Sequence, residues 1–244
     1  MYTRVFILLL VFIFSMNSCQ KDELTLPAKV YFTFGLEPLQ ESGLKNQSTE
    51  SDANPPFGQL DIDMGAMVVR AIEFDGKREQ GRDVYFISDF DAPLQIMLGK
   101  HEDNVEVSFD IPQGSYKKID IGFHLGDFNG TGLPSLTLEG NMVLPNSQSV
   151  YLRFEYHFDD IIVVRSRGSV ANENILLRKD KVSTATVEID VPFLFRFINM
   201  GELMSGQFAH ENGNEVLVIN EHKNQALFNK LANRLNNAFS VVIQ

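Results

Sequence analysis

The sequence predicts a mainly β protein, an antiparallel β-sandwich with a short C-terminal amphipathic helix. Three observations carry that reading. Apolar and polar residues alternate with a period of two through most of the chain. Clusters of Gly, Asn, Asp, Ser and Pro separate the alternating runs. Near the C-terminus the period changes: Leu227, Leu231 and Leu235 recur every four residues, flanked by Phe228 and Ala238.

The first eighteen residues form a segment of a different kind. Arg4 is the only charge before Cys19, Val5 to Phe14 is an unbroken apolar run, and Ser15 to Ser18 are mostly small or polar. A basic start, a short apolar middle and a small-residue cut site make a secretory signal. The run is too short to span a bilayer, which takes about 20 apolar residues. Cys19, the only cysteine, stands immediately after it. Ser18-Cys19 resembles the lipobox of bacterial lipoproteins, although Met16 stands where leucine is usual. That resemblance implies that the Cys19 thiol takes a diacylglycerol and becomes the first residue of the mature chain. Acyl chains contribute about 0.8 kcal/mol per buried methylene, so several hold a protein durably on a membrane. Gln20, Lys21, Asp22 and Glu23 resemble the charged export tag of Bacteroidota-type surface lipoproteins, which implies an outer-membrane anchor facing the cell exterior. Residues 19–28 then read as a lipidated tether, and 29–244 as the β domain, with a sub-boundary near 192.

Within the domain, Val30, Phe32, Phe34 and Leu36 share one face of a first strand. Val105–Ile111, Ile119–Leu125, Val150–Phe158 and Ala185–Val191 alternate in the same way. Strands with one apolar and one polar face suit antiparallel sheets packed face to face. Asp75 to Gly81 reads as a hairpin loop, Gly126 to Gly132 and Pro145 to Ser147 as further loops, and Arg167-Gly168-Ser169 as the start of a fourth. Glu37 to Gly58 is polar, aperiodic and Pro-containing, and reads as a long loop or linker. Leu194–Met204 reads as a short helix or a strand running into a turn. Asn220 to Asn237 reads as a helix capped by Asn220, with Lys230 and Arg234 toward the negative end of its dipole. Phe239–Ile243 reads as a final strand, available either to close its own sheet or to be donated to another subunit.

Pro112-Gln113-Gly114-Ser115-Tyr116-Lys117-Lys118-Ile119 resembles the Pro-x-Gly-x-Tyr-x-x-Ile start of a strand in secreted bacterial β-sandwich lipoproteins. In physical terms Gly114 permits a tight corner and the Tyr116 hydroxyl can close it. The tail around Asn220 to Asn224 and Leu231 to Phe239 resembles the end of the methanobactin-associated periplasmic proteins, which are copper-linked. That family's chemistry uses a modified tryptophan and this chain has no tryptophan, so no copper site is carried over.

Charge excludes one class of partner. The chain carries 21 basic and 32 acidic residues, net −11, so phosphate backbones are repelled and nucleic acid is not expected as a partner. No nucleophile elbow, HExxH motif or pair of histidines at helical spacing occurs, so no catalytic residues are assigned and no cofactor is expected. His101, His124, His157, His210 and His222 are scattered; His124 and His157 fall on polar faces of two strands, and two imidazoles fall short of a usual zinc set. Asp127 and Asn129 place oxygens at alternating positions of a Gly-rich loop, a candidate ligand loop. Position twelve from Asp127 is Leu138, so no EF-hand results. Asp89, Asp91, Asp159 and Asp160 are further acidic pairs. The metal identity is left unassigned. The expected function is a non-catalytic cell-surface binding module for a glycan, a peptide or a small ligand. The alternative is an assembly component, such as a fimbrial subunit or transporter accessory protein.

Overall fold

The computed structural model describes residues 25–37, 59–99, 107–126, 132–170 and 173–244. Strands account for 62% of these residues and helices for 14%, so the chain is mainly β. Fourteen strands and three helices follow one another among the described residues.

A small sheet has the order β4-β1-β11-β14-β9, built from β4 (Val107–Pro112), β1 (Pro27–Glu37), β11 (Ser183–Asp190), β14 (Phe239–Ile243) and β9 (Arg167–Gly168). A large sheet is organised around β2 (Gln59–Arg78), twenty residues long. β3 (Val84–Gly99) pairs along one edge of β2. The opposite edge is divided: β6 (Leu136–Val143) pairs with Gln59–Met67, and β5 (Gly114–Leu125) pairs with Val69–Arg78. The fork lies at Val68. Its N–H donates to Ser135 O (2.9 Å) beside β6, and its carbonyl accepts from Gly126 N (3.1 Å) at the end of β5. Beyond β5 stand β8 (Ile161–Arg165) and β10 (Ile175–Leu177). Beyond β6 stand β7 (Ser149–Tyr156), β13 (Asn214–Ile219) and β12 (Ala209–Glu211).

The period-2 reading locates the core. Val30, Phe32 and Phe34, the full set Ile119, Ile121, Phe123 and Leu125, and Ala185, Val187 and Ile189 are all buried. Rings from the two sheets meet: Phe34 of β1 lies 6.0 Å from Phe123 of β5, and Phe123 lies 6.3 Å from Phe239 of β14. The chain crosses between the sheets at Ser166, which links β8 to β9. The sheets are mixed, however, and not antiparallel throughout: β1 with β11, β13 with β7, and β14 with β9 pair in parallel. Alternation records which side of a strand is buried and carries no information on the direction of its neighbour.

The C-terminal helix packs across β7, β8, β13 and β14, and the first of two short helices packs on it and on β1. In α1 (Val191–Phe195) the Asp190 side chain caps by accepting from Phe193 N (2.6 Å). In α2 (Met200–Met204) Asn199 and Glu202 form a reciprocal capping box. The segment expected to hold one short helix or a strand therefore holds two helical turns with separate caps. α3 (Gln225–Ala238) buries Leu227, Phe228, Leu231, Leu235 and Ala238, as its four-residue period predicts. Phe228 stacks on Phe154 (5.9 Å) and Tyr156 (6.2 Å) of β7.

α3 begins at Gln225, five residues after the expected start. Asn220 shapes the preceding loop instead, its side-chain oxygen accepting from His222 N (3.0 Å) and Lys223 N (2.7 Å). Asn224 precedes the helix in left-handed conformation (φ 56°). Its amide donates to Gln207 O (2.9 Å) and Val218 O (2.7 Å) and accepts from Gln207 N (2.7 Å).

The β2–β3 hairpin also turns later than expected. Asp75, Gly76 and Lys77 lie within β2, and the turn falls after Arg78. A Cβ on Gly76 would come within 2.6 Å of the Phe74 and Tyr116 rings, so the glycine makes room for aromatic packing inside a strand. The expected Tyr116 corner is present. The hydroxyl donates to Pro112 O (2.5 Å) and accepts from Arg78 Nε (3.3 Å).

Candidate ligand face

Past the bulge between Val69 and Ala71, Glu73 and Asp75 of β2 lie on the side opposite buried Ile72 and Phe74, and registers across β3, β5 and β8 set the neighbours of this outer side. Ile87, Glu73, Gly122 and Val163 form one row; Tyr85, Asp75, Asp120 and Arg165 form the next; Asp89, Ala71, His124 and Ile161 form the row on the other side. Cross-strand and diagonal neighbours at this spacing interact directly.

Glu73 is the centre of the face. Its Oε2 lies 3.1 Å from His124 Nε2, and both side chains are largely covered. Tyr85, 63% exposed, stands diagonally across on β3. Partial desolvation on the sheet, then a hydrogen bond and charge from Glu73 and the nearby Asp75, raises the Tyr85 phenol. Asp120 is held by Lys118 and by Arg165 (3.3 Å), whereas Asp75, opposite it, forms no ion pair among the described residues.

Gly122 gives the face its relief. A Cβ there would come within 3.1 Å of Glu73 Cβ and 3.5 Å of Ile161 Cγ2. The bare backbone leaves a low floor between Ile87 on one edge strand and Ile161 and Val163 on the other, all three exposed. One aromatic ring, one imidazole, two carboxylates and an apolar rim can stack on a flat, weakly polar ring and exchange hydrogen bonds with hydroxyls.

At the upper end of the face the chain bends through residues that lie at loop ends. Asp160 accepts from Tyr156 Oη (2.9 Å) and from Ile161 N (2.8 Å). Burial and this carboxylate push the Tyr156 phenol up to about 12. The space beside Gly126 (φ 124°) is filled by Asp159 Oδ1, which lies 2.0 Å from where a Cβ would stand. Both acids of that pair therefore have local structural roles.

The outer surface of the other wing is built differently. Arg153 on β7 donates from Nη1 and Nη2 to both oxygens of Glu211 (3.0 Å each) and from Nε to Glu155 (2.6 Å). Glu155 also accepts from Asn220 Nδ2 (2.8 Å), and Tyr151 Oη donates to Glu139 (2.6 Å). The hydrogen bonds to Glu211 raise the Arg153 guanidinium and hold the Glu211 carboxyl below its usual range.

Of the residues singled out from sequence, Cys19, Gln20, Lys21, Asp22 and Glu23, the loop residues Asp127 and Asn129, and His101 lie outside the described residues. His124 and His157 are not brought together, because β5 and β7 are separated by β2 and β6. Each meets a carboxylate of its own, His157 lying 3.1 Å from Glu221. Among the described residues, no group of three or more His, Cys, Asp or Glu side chains is placed to hold a metal ion. Glu73, Tyr85 and Gly122 were not legible as site residues; the one signal was a glycine at an outward position between Ile121 and Phe123. No protein-family model, no curated protein and no solved structure matches this chain.

Proposed function

We propose that this chain is an exported lipoprotein, anchored through Cys19 to the outer membrane and facing the cell exterior, whose two sheets pack as a β-sandwich and which acts as a non-catalytic binding module. The lipobox-like Cys19 after a short apolar run and the charged Gln20–Glu23 segment support the address. The ring contacts of Phe123 with Phe34 and Phe239 support the sandwich. Of the expected ligand classes, glycan, peptide or small molecule, the face favours a glycan. The observation that carries this is the exposed Tyr85 ring beside the Glu73–His124 pair above the bare backbone of Gly122.

The test is the melting temperature of the full chain in detergent, with and without a panel of neutral and acidic oligosaccharides. A ligand at 100 times its Kd adds about 2.7 kcal/mol. A shift of several degrees with one sugar class, lost in Tyr85→Ala, is the expected result. A flat response across the panel overturns the glycan reading. Acylation is tested separately, by mass spectrometry of the N-terminal peptide and by membrane retention of Cys19→Ala.

A further inference from the structure

We infer that the free edge of β3 over Val84–Asp91 accepts an extended peptide segment of a partner protein, one that alternates apolar with basic residues. This goes beyond the glycan reading: the pairing is made by the backbone edge of the sheet, with the acids of the adjoining outer face, Asp89 among them, selecting the occupant.

β3 is sixteen residues long and, among the described residues, pairs only with β2. Among the described residues the other edge strands are shorter, β4 with six residues being the longest of them. β9 has two residues, β10 and β12 have three each, and Asn236 of α3 caps β8 by accepting from Val163 N (3.1 Å). A long strand with unpaired N–H and C=O groups is a template for strand addition. The two halves of β3 also differ. Ile96 and Leu98 in the second half are buried, whereas no residue of Val84–Asp91 is. On the inner side of that first half Phe86 and Phe90 are only partly covered. They face Phe109 at 6.3 and 6.5 Å, and Phe109 belongs to β4, itself an edge strand pairing only with β1. An added strand would place alternate apolar side chains against this aromatic slot.

Charge selects the occupant. Asp89 and Asp91 stand exposed on the outer side of the same half, with Glu73 and Asp75 one strand away. A second copy of this acidic chain would bring like charges together, whereas a segment with Lys or Arg at alternate positions would answer them. The acids that oppose self-pairing thus leave the edge open to a partner of the opposite charge.

The test uses the full chain in detergent and a nine-residue probe, acetylated and amidated, alternating Lys and Val, with a control of the same composition in two blocks. Hydrogen exchange within Val84–Asp91 is the readout. The alternating peptide is expected to slow the fast amides of this half-strand at least tenfold, the block peptide is not, and Asp89→Lys/Asp91→Lys is expected to weaken binding at least tenfold at about 50 mM salt. The inference is overturned if those amides stay fast, if both peptides protect them equally, or if they are protected without peptide in proportion to protein concentration, which would assign the edge to a second copy. None of these outcomes bears on the sugar-induced melting shift, so this inference and the glycan reading fail separately.

Discussion

The two wings of the large sheet present outer surfaces that differ in how their charges are answered. On the β6–β7–β13–β12 wing, Arg153 satisfies both oxygens of Glu211 and one of Glu155, whose other oxygen takes Asn220. On the β3–β2–β5–β8 wing, Glu73 shares an imidazole and a phenol, Asp75 forms no ion pair among the described residues, and Gly122 leaves a gap. The first surface spends its polar groups on its own chain and ties β12 and the Asn220 loop to β7. The second leaves donors, acceptors and a ring directed outward. Substitutions should therefore separate into those that alter stability on the first wing and those that alter binding on the second.

The largest effect is expected beside the first wing, at Asn224. Alanine there removes three hydrogen bonds and places a non-glycine, non-asparagine side chain in the left-handed region. A loss of about 3 kcal/mol is expected, read as a fall in melting temperature of roughly 2–4 °C per kcal/mol. Asn224→Gly should recover the backbone part only and fall between the two.

Arg153→Leu comes next. It leaves Glu155, largely covered, and Glu211, about a third exposed, without their cation. Solvent screens Glu211, so most of the cost arises at Glu155, for a total of about 2 kcal/mol. If this wing bound the ligand, the same change would also abolish the sugar response; the contrast drawn above requires that it does not.

Acid titration sharpens the same contrast. Glu211 is held below its ordinary value of 4.5 chiefly by the hydrogen bond from Arg153, and Glu202 by that from Lys230. A carboxyl with a depressed folded pKa contributes stability above its unfolded pKa and loses it as pH falls through the folded one. Stability should therefore decline below about pH 4.5, and the decline should be shallower in Arg153→Leu. An equally steep decline in the variant would show that Arg153 is not what holds Glu211.

How much of this was legible in the sequence differs by level. Burial of Val30, Phe32, Phe34, Ile119 to Leu125 and Leu227, Leu231 and Leu235 follows from periodicity alone, because each is a property of one strand or one helix face. Strand partners do not follow, because the division of β2 between β5 and β6 depends on Val68 bonding to residues 58 and 67 positions away. The helix start at Asn220 was misplaced because an asparagine that caps a helix and one that closes a loop use the same oxygen. Phe239–Ile243 reads as a strand that either closes its own sheet or is donated; it pairs along its length with β11, and with β9 at Val242 and Ile243, so it closes its own sheet. The candidate face was hidden for the same reason as the topology. Tyr85, Glu73 and His124 come from three strands, and only their registers bring them together.

The smallest effect on stability, and the sharpest test of the open face, is Gly122→Ala. Its backbone is not in a left-handed conformation, so no strain arises from φ. The added methyl meets Glu73 Cβ at 3.1 Å, and a Cβ moves only with its backbone, so β5 and β2 must shift by a few tenths of an ångström to admit it. A change in stability of no more than about 0.5–1 kcal/mol follows, of either sign, since replacing glycine inside a strand also recovers backbone entropy. Binding should respond more strongly. The methyl fills the floor between Ile87 and Val163 and displaces Glu73 from His124, so a sugar resting on that floor should lose affinity by about tenfold or more. Calorimetric titration of Gly122→Ala beside Tyr85→Ala reads both quantities. Loss of affinity in both, with melting temperatures close to the parent, places the ligand between the ring and the glycine. Retained affinity in Gly122→Ala would move the ligand off the floor, leaving Tyr85 to act from the edge strand alone.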